Sequence, residues 1–199
     1  MILDINKFLL APIILLGNRK MEYDLCMKLI KPKMGYCMEF GVWKGQSINY
    51  MAKVRSDITF YGFDSFEGLP ENWEMGNKTI EKGHFKIEET IKTKKNVILV
   101  KGLFQDTIQE WKKEHKESIQ FLNIDSDLYS SAKTILFALN DQILINTIIR
   151  FDELLDSPLD PYPLWQEGEF KALSEWCKTF NREVVPISRS WKQGCTVIV

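Results

Sequence analysis

The sequence predicts a doubly wound α/β domain, a mostly parallel seven-stranded sheet whose last strand runs antiparallel. Three observations predict it. Short apolar runs recur along the chain; segments with helical spacing separate them; and the final two runs lie too close together for a crossover helix. Strands that read as continuous apolar runs, joined by helix-length connections, belong in a parallel sheet covered on both faces.

The strand candidates, in order, are YCMEF (36–40), ITFYGF (58–63), NVILV (96–100), IQFLNI (119–124) and ILINTIIRF (143–151). SINYMAKV, QDTIQEWKKEH and LYSSAKTILFAL between them carry helical spacing. After Phe151 come a Pro-rich loop, DSPLDPYPLW, a helix, EGEFKALSEWCKTF, and the strands REVVPI and GCTVIV. The six residues SRSWKQ join these two into a hairpin, which reverses the last strand. Residues 65–90 are rich in Gly, Glu and Lys without periodicity, the mark of a lid or binding loop in a compact domain.

The 199 residues, 45 % hydrophobic and 12 % aromatic, suffice for one well-filled core, and no repeat or linker divides them. One domain over 1–199 is expected, with an N-terminal helical or apolar segment over 1–33. Basic and acidic residues, 26 against 27, nearly cancel, and the lysines are interleaved with acids, so the footprint of a nucleic-acid binder is missing. Cys26, Cys37, Cys177 and Cys195 show no metal-ligand spacing and fit a reducing cytoplasm. The run FLLAPIILL (8–16) is too short to span a bilayer and contains Pro12. It reads as a buried or dimer-facing segment, with a monotopic membrane contact as the weaker option. His84 and His115 are too isolated to build a histidine site.

Chemistry concentrates at the strand ends. The first strand runs into EFGVWKGQS, where Gly41 and Gly45 let the backbone turn sharply toward a helix whose first N–H groups, near Ser47, lack partners. Val42 and Trp43 depart from the dinucleotide fingerprint, and a buried Glu39 would repel a diphosphate while accepting hydrogen bonds from an amino-bearing ligand. The second strand ends at Asp64, placed to accept both hydroxyls of a ribose. An Asx turn or helix cap is the bland alternative for Asp64 alone. Together these features fit a nucleoside without a pyrophosphate.

The fourth strand ends in Asp125 and Asp127, the fifth in Asp152 and Glu153. Carboxyl ends of neighbouring parallel strands share one crevice, so Asp125, Asp152 and Glu153 should converge there. Oxygen ligands with no His or Cys call for a hard divalent cation, most simply Mg²⁺. Asp127, offset from that set, suits a general base; capping of the next helix is its ordinary alternative.

The motifs EFGVWKGQS, YGFDSFEGLPENW, VKGLFQDT, IDSDLYSS and FDEL, followed by WQEGEFKAL, resemble the class I S-adenosylmethionine-dependent O-methyltransferases, specifically the macrocin O-methyltransferase-like sugar methyltransferases. The likeness runs from about Met34 to Ala172 in order and spacing. EFGVWKGQS and VKGLFQDT are more distantly similar to catechol O-methyltransferase. The resemblance implies a Rossmann-like sheet and S-adenosylmethionine as cofactor, with Glu39, Phe40, Gly41 and Ser47 lining its methionine end. Asp64 would take the ribose, and Gly102, Phe104 and Gln105 would border the adenine. Asp125, Asp152 and Glu153 would bind Mg²⁺, with Asp127 as base; family members often carry Asp where this chain has Glu153. N-terminal helices in the family usually serve substrate binding and dimerisation, which admits a homo-oligomer through that segment here. The acceptor would be a hydroxyl, on a sugar or, as the alternative, a phenol. Two rivals from other classes are a metal-dependent phosphoesterase, which would not need Glu39 and Asp64, and a non-catalytic cofactor-binding protein, which would not need the acidic cluster.

Overall fold

The computed structural model describes residues 3–10, 14–16, 19–190 and 192–199. In chain order the main elements are α1 (Ile5–Leu10), β1 (Ile14–Leu16), α2 (Arg19–Leu29), β2 (Tyr36–Phe40), α3 (Gln46–Val54) and β3 (Phe60–Asp64). They continue with β4 (Trp73–Glu74), β5 (Thr79–Ile80), β6 (Val97–Lys101), α4 (Phe104–Glu114), β7 (Ile119–Ile124) and α5 (Tyr129–Ala138). The chain closes with β8 (Ile143–Phe151), a short 3₁₀ turn (Trp165–Glu167), α6 (Glu169–Phe180), β9 (Val185–Ser190) and β10 (Cys195–Ile198).

All seven strands read from the sequence are present, and their pairing gives the order β1-β9-β10-β8-β7-β2-β3-β6. Strands β2, β3, β6, β7 and β8 pair in parallel, and β10 runs antiparallel to both β8 and β9. The eighth strand, β1, lengthens the sheet by three residues beside β9. It lies within the apolar run 8–16, of which residues 11–13 fall outside those described. Phe8 in that run is buried and meets Phe170 edge-on, with ring centroids 5.7 Å apart.

Side chains fill both faces of the sheet, as helices on either side require. Phe40, Phe63, Leu122, Ile124 and Ile149 point into a core shared with Trp111 of α4, Ile135 of α5 and Trp176 of α6. On the opposite face Phe60, Phe121 and Ile148 pack against Tyr23 and Met27 of α2 and Ile48 and Met51 of α3. Residues 65–90, read as an irregular loop, contain the β4–β5 hairpin and a small core of their own, where Leu69, Trp73 and Met75 meet Leu128 and Tyr162. All four cysteines are buried free thiols. Among the described residues no helix is long and apolar enough to cross a membrane.

A polar lane across the sheet and an acidic crevice at its edge

Register brings together four polar residues that the sequence scatters over 157 positions. Glu39 on β2 lies opposite Asn123 on β7, Asn123 opposite Arg150 on β8, and Arg150 opposite Thr196 on β10. Partners in register project to the same face, so one buried polar lane crosses an otherwise apolar sheet. All four side chains are fully buried. Three of the four are linked by hydrogen bonds: Ser47 Oγ donates to Glu39 Oε1 (2.7 Å), Asn123 Nδ2 to Glu39 Oε2 (3.2 Å) and Arg150 Nη1 to Asn123 Oδ1 (2.9 Å). From α2, Glu22 Oε2 accepts from Arg150 Nε and Nη2, and the Tyr23 ring lies 4.7 Å from the guanidinium carbon. Burial pushes the Glu39 carboxyl up to about 8, with Asp125 adding to the rise against the two hydrogen bonds.

Side chains two residues apart on a strand share a face. Stepping two positions beyond Asn123 and Arg150 therefore reaches Asp125 and Asp152 on that face, at the carboxyl edge of the sheet. Glu153 follows, and one carboxylate oxygen from each of the three lies within 4.8 Å of the others. Arg150 Nη2 donates to Asp152 Oδ1 (2.5 Å), and Arg19, the first residue of α2, forms an ion pair with Asp152 Oδ2. Buried carboxylates this close hold each other's protons. Burial, then Asp152, pushes Asp125 up to about 7 and Glu153 well above the usual range. Burial acts on Asp152 too, yet Arg150, a hydrogen bond shared with Glu153, and Arg19 outweigh it and hold Asp152 at about 2. Glu169, at the start of α6, is fully buried and accepts the Glu153 N–H with Oε2 (3.1 Å), fixing the loop that carries Glu153.

Gly41 stands two positions beyond Glu39 on the first strand of the lane, and it is bare for a steric reason. A Cβ there would lie 1.7 Å from the Asp125 carbonyl oxygen, and its φ is +90°. No side chain fits between the two strand ends.

A cavity of about 800 Å³ opens at this edge. Gly41, Ser47, Asp64, Gly102, Phe104 and Gln105 line it, as do Asp125, Asp127 and Glu153. Glu39, Phe40 and Asp152 stand behind its wall. Phe40 is core, stacked on Phe63 (4.6 Å) and meeting Phe104 edge-on (5.3 Å), so its side chain does not reach a ligand on this face. Asp64 does more local work than its position suggested. Its Oδ2 accepts the N–H groups of Val42 and Trp43 (2.8 and 2.7 Å) and its Oδ1 that of Phe66 (2.7 Å). The last is an Asx turn, and the first two pin Trp43, whose φ is +45°, in the left-handed region. Oδ1 retains a second lone pair, whereas both of those on Oδ2 are engaged.

Asp127 does not cap the helix after it: α5 begins at Tyr129, its N-cap is Leu128, and no side chain caps it. With φ of +63°, Asp127 is turned out of the strand path toward the cavity. Burial, then Asp125 and Asp152, pushes its carboxyl well above the usual range. Of the loop aromatics, Trp73 and Phe85 line the cavity; Phe66 packs against the core beneath, and Trp165 meets Phe170 edge-on (5.0 Å).

Arg19, Glu22, Asn123 and Arg150 belong to this site, and the motifs did not single them out; Glu169 lies within WQEGEFKAL, a motif that assigns it no role. A signal existed for two of them: a lone Arg in ILINTIIRF and a lone Asn in IQFLNI must each find buried partners.

A parallel sheet with a reversed last strand, a glycine turn after the first strand, an acid at the tip of the second and a cavity across their carboxyl ends make this chain a methyltransferase of the S-adenosylmethionine-dependent α/β class. Solved structures share the fold. CalS11, a calicheamicin methyltransferase, aligns with TM-score 0.70 at 20% identity, covering 90% of this chain and 77% of that one. The O-methyltransferase NovP gives 0.63 at 19% identity over 90% and 78%. An O-methyltransferase from Bacillus cereus in complex with SAH gives 0.55 at 14% identity over 90% and 80%. Comparison with curated proteins gives no match. The family model of macrocin O-methyltransferase (TylF) matches residues 14–158, and the chain belongs to that family of S-adenosylmethionine-dependent O-methyltransferases.

Proposed function

We propose that this enzyme methylates a hydroxyl of a sugar, on a glycan or a natural product, at a site assisted by Mg²⁺. The observation that carries the reading is the convergence of Asp125, Asp152 and Glu153 within 4.8 Å beside a cavity that also holds Asp64. The donor set fits a hard divalent ion: all ligand atoms are carboxylate oxygens, and Glu153 Oε2 is buried without a hydrogen-bond donor. Support for a sugar acceptor comes from the family, described by its macrocin O-methyltransferase, and from CalS11, described as a TDP-rhamnose 3'-O-methyltransferase. The cavity wall suits such a guest, since Glu71, Ser130 and Asp160 offer hydroxyl partners and Trp73 and Phe85 offer ring faces.

When bound, S-adenosylmethionine would supply an electrophilic methyl group, and Mg²⁺ held by Asp125, Asp152 and Glu153 would lower the pKa of the acceptor hydroxyl. The protein's residues set the geometry. Asp64 and the Gly41 turn present the ribose and methionine portions, with Glu39 behind the turn held by Ser47 and Asn123. Gly102, Phe104 and Gln105 border the adenine. Asp127 would take the proton of the acceptor hydroxyl. Residues 65–90 close over the cavity as a lid and exclude water. Orienting the acceptor against the bound cofactor would remove much of the entropy cost of a bimolecular step, an effect that reaches about 7–11 kcal/mol in well-oriented systems.

Methyl transfer to a panel of sugar-bearing acceptors tests this reading. EDTA is expected to abolish turnover, and added Mg²⁺ to restore it; full turnover in chelator would remove the metal from the reaction.

A further inference from the structure

The acidic crevice already holds a cation, and that cation is a side chain. Arg19 Nη2 pairs with Asp152 Oδ2 and lies 3.6 Å from Glu153 Oε1, so one guanidinium bridges two of the three carboxylates. The other Asp152 oxygen, Oδ1, is held by Arg150. Each oxygen of Asp152 thus faces an arginine, Oδ1 through a hydrogen bond and Oδ2 through an ion pair. A divalent ion among Asp125, Asp152 and Glu153 takes an oxygen from Asp152 and there meets the positive charge of an arginine.

The two arginines differ in freedom. Arg150 has no exposed surface and is anchored by Glu22, Asn123 and the Tyr23 ring. The Arg19 side chain is 49% exposed, on the cavity wall. Arg19 is the one that can leave. A dication in the crevice repels both guanidiniums, and only Arg19 has open space to move into.

We propose that Arg19 and the divalent cation occupy the crevice alternately, so that Arg19 neutralises the acids until the metal displaces it. The proposal rests on the metal-assisted reading above, and it makes Arg19 a built-in competitor that sets the apparent metal affinity. Its guanidinium covers Asp152 and Glu153 in the metal-free protein and swings into the cavity when the ion binds.

Mn²⁺ titration of the cofactor-free protein, followed by the electron paramagnetic resonance of free Mn²⁺, reads this directly and needs no turnover. Arg19→Ala is expected to bind Mn²⁺ about tenfold more tightly or better, which is the scale of one removed charge at contact distance. Arg19→Lys should lie between that variant and the wild type. Lys20→Ala, which removes a neighbouring charge that touches none of the three carboxylates, should leave the affinity close to wild type. In EDTA the Arg19→Ala protein should melt below the wild type, and saturating Mn²⁺ should reverse that order. Equal Mn²⁺ affinity in wild type and Arg19→Ala, or weaker binding by the variant, would overturn the competition while leaving the metal site standing. Absence of Mn²⁺ binding in both proteins would overturn the metal site itself.

Discussion

Asp127→Asn is expected to lower kcat by roughly 10²–10⁴-fold, the range that one positioned general base contributes. Affinity for S-adenosylhomocysteine and for Mn²⁺ should be unchanged. The substitution isolates the proton. Asparagine has the same size and tolerates the left-handed backbone that Asp127 adopts at φ +63°, so neither the strand end nor α5 need shift. No helix cap is lost either, because the side chain of Asp127 makes none. Single-turnover rates with saturating acceptor measure the effect, and a variant that turned over at the wild-type rate would show that another group removes the proton.

Arg150→Met is expected to destabilise the fold by about 3–5 kcal/mol, the cost of deleting one member of a buried charge network. For a domain of this size that is a fall of roughly 6–20 °C in Tm. The cause lies in what remains. Methionine fills much of the space, but Glu22 and Asp152 would keep buried charge with one cation fewer, and Asn123 Oδ1 would lose its donor. Arg150→Lys should rescue only part of the loss, since one ammonium cannot reach Glu22, Asn123 and Asp152 in the fixed geometry of a guanidinium. Thermal unfolding followed by circular dichroism decides it. A Tm within 2 °C of wild type would mean that the lane is already neutralised without Arg150.

These two residues mark the limit of what could be read from the chain. Asp127 was legible because it sits where an apolar run gives way to a helix, a local pattern. The five parallel strands and the closing hairpin were legible for the same reason, each being a short apolar run with clear flanks. Arg150 was visible as an oddity in an apolar strand, but its meaning depends on lying opposite Asn123, which in turn lies opposite Glu39. Register between strands is set by the assembled sheet, so no spacing in the sequence encodes that lane. The acids at the strand ends could be expected to converge, because parallel strands share one carboxyl edge. That Arg19 would reach them could not, because α2 belongs to a segment with few strong local signals and its docking follows from Glu22 and Tyr23 meeting Arg150. Phe40 shows the opposite error. It belongs to a motif, yet its side chain alternates to the core face, as the residue after Glu39 on a strand must.

The central claim is that three carboxylates from adjoining strand ends gather one hard cation beside a nucleoside held at Asp64. Crystals grown with S-adenosylhomocysteine and saturating Mn²⁺, with diffraction recorded for the anomalous signal of manganese, test it most directly. The account predicts one anomalous peak among Asp125, Asp152 and Glu153, with the ribose hydroxyls at Asp64 in the same cavity. A nucleoside bound there with no manganese peak between those carboxylates, at full Mn²⁺ saturation, would contradict it.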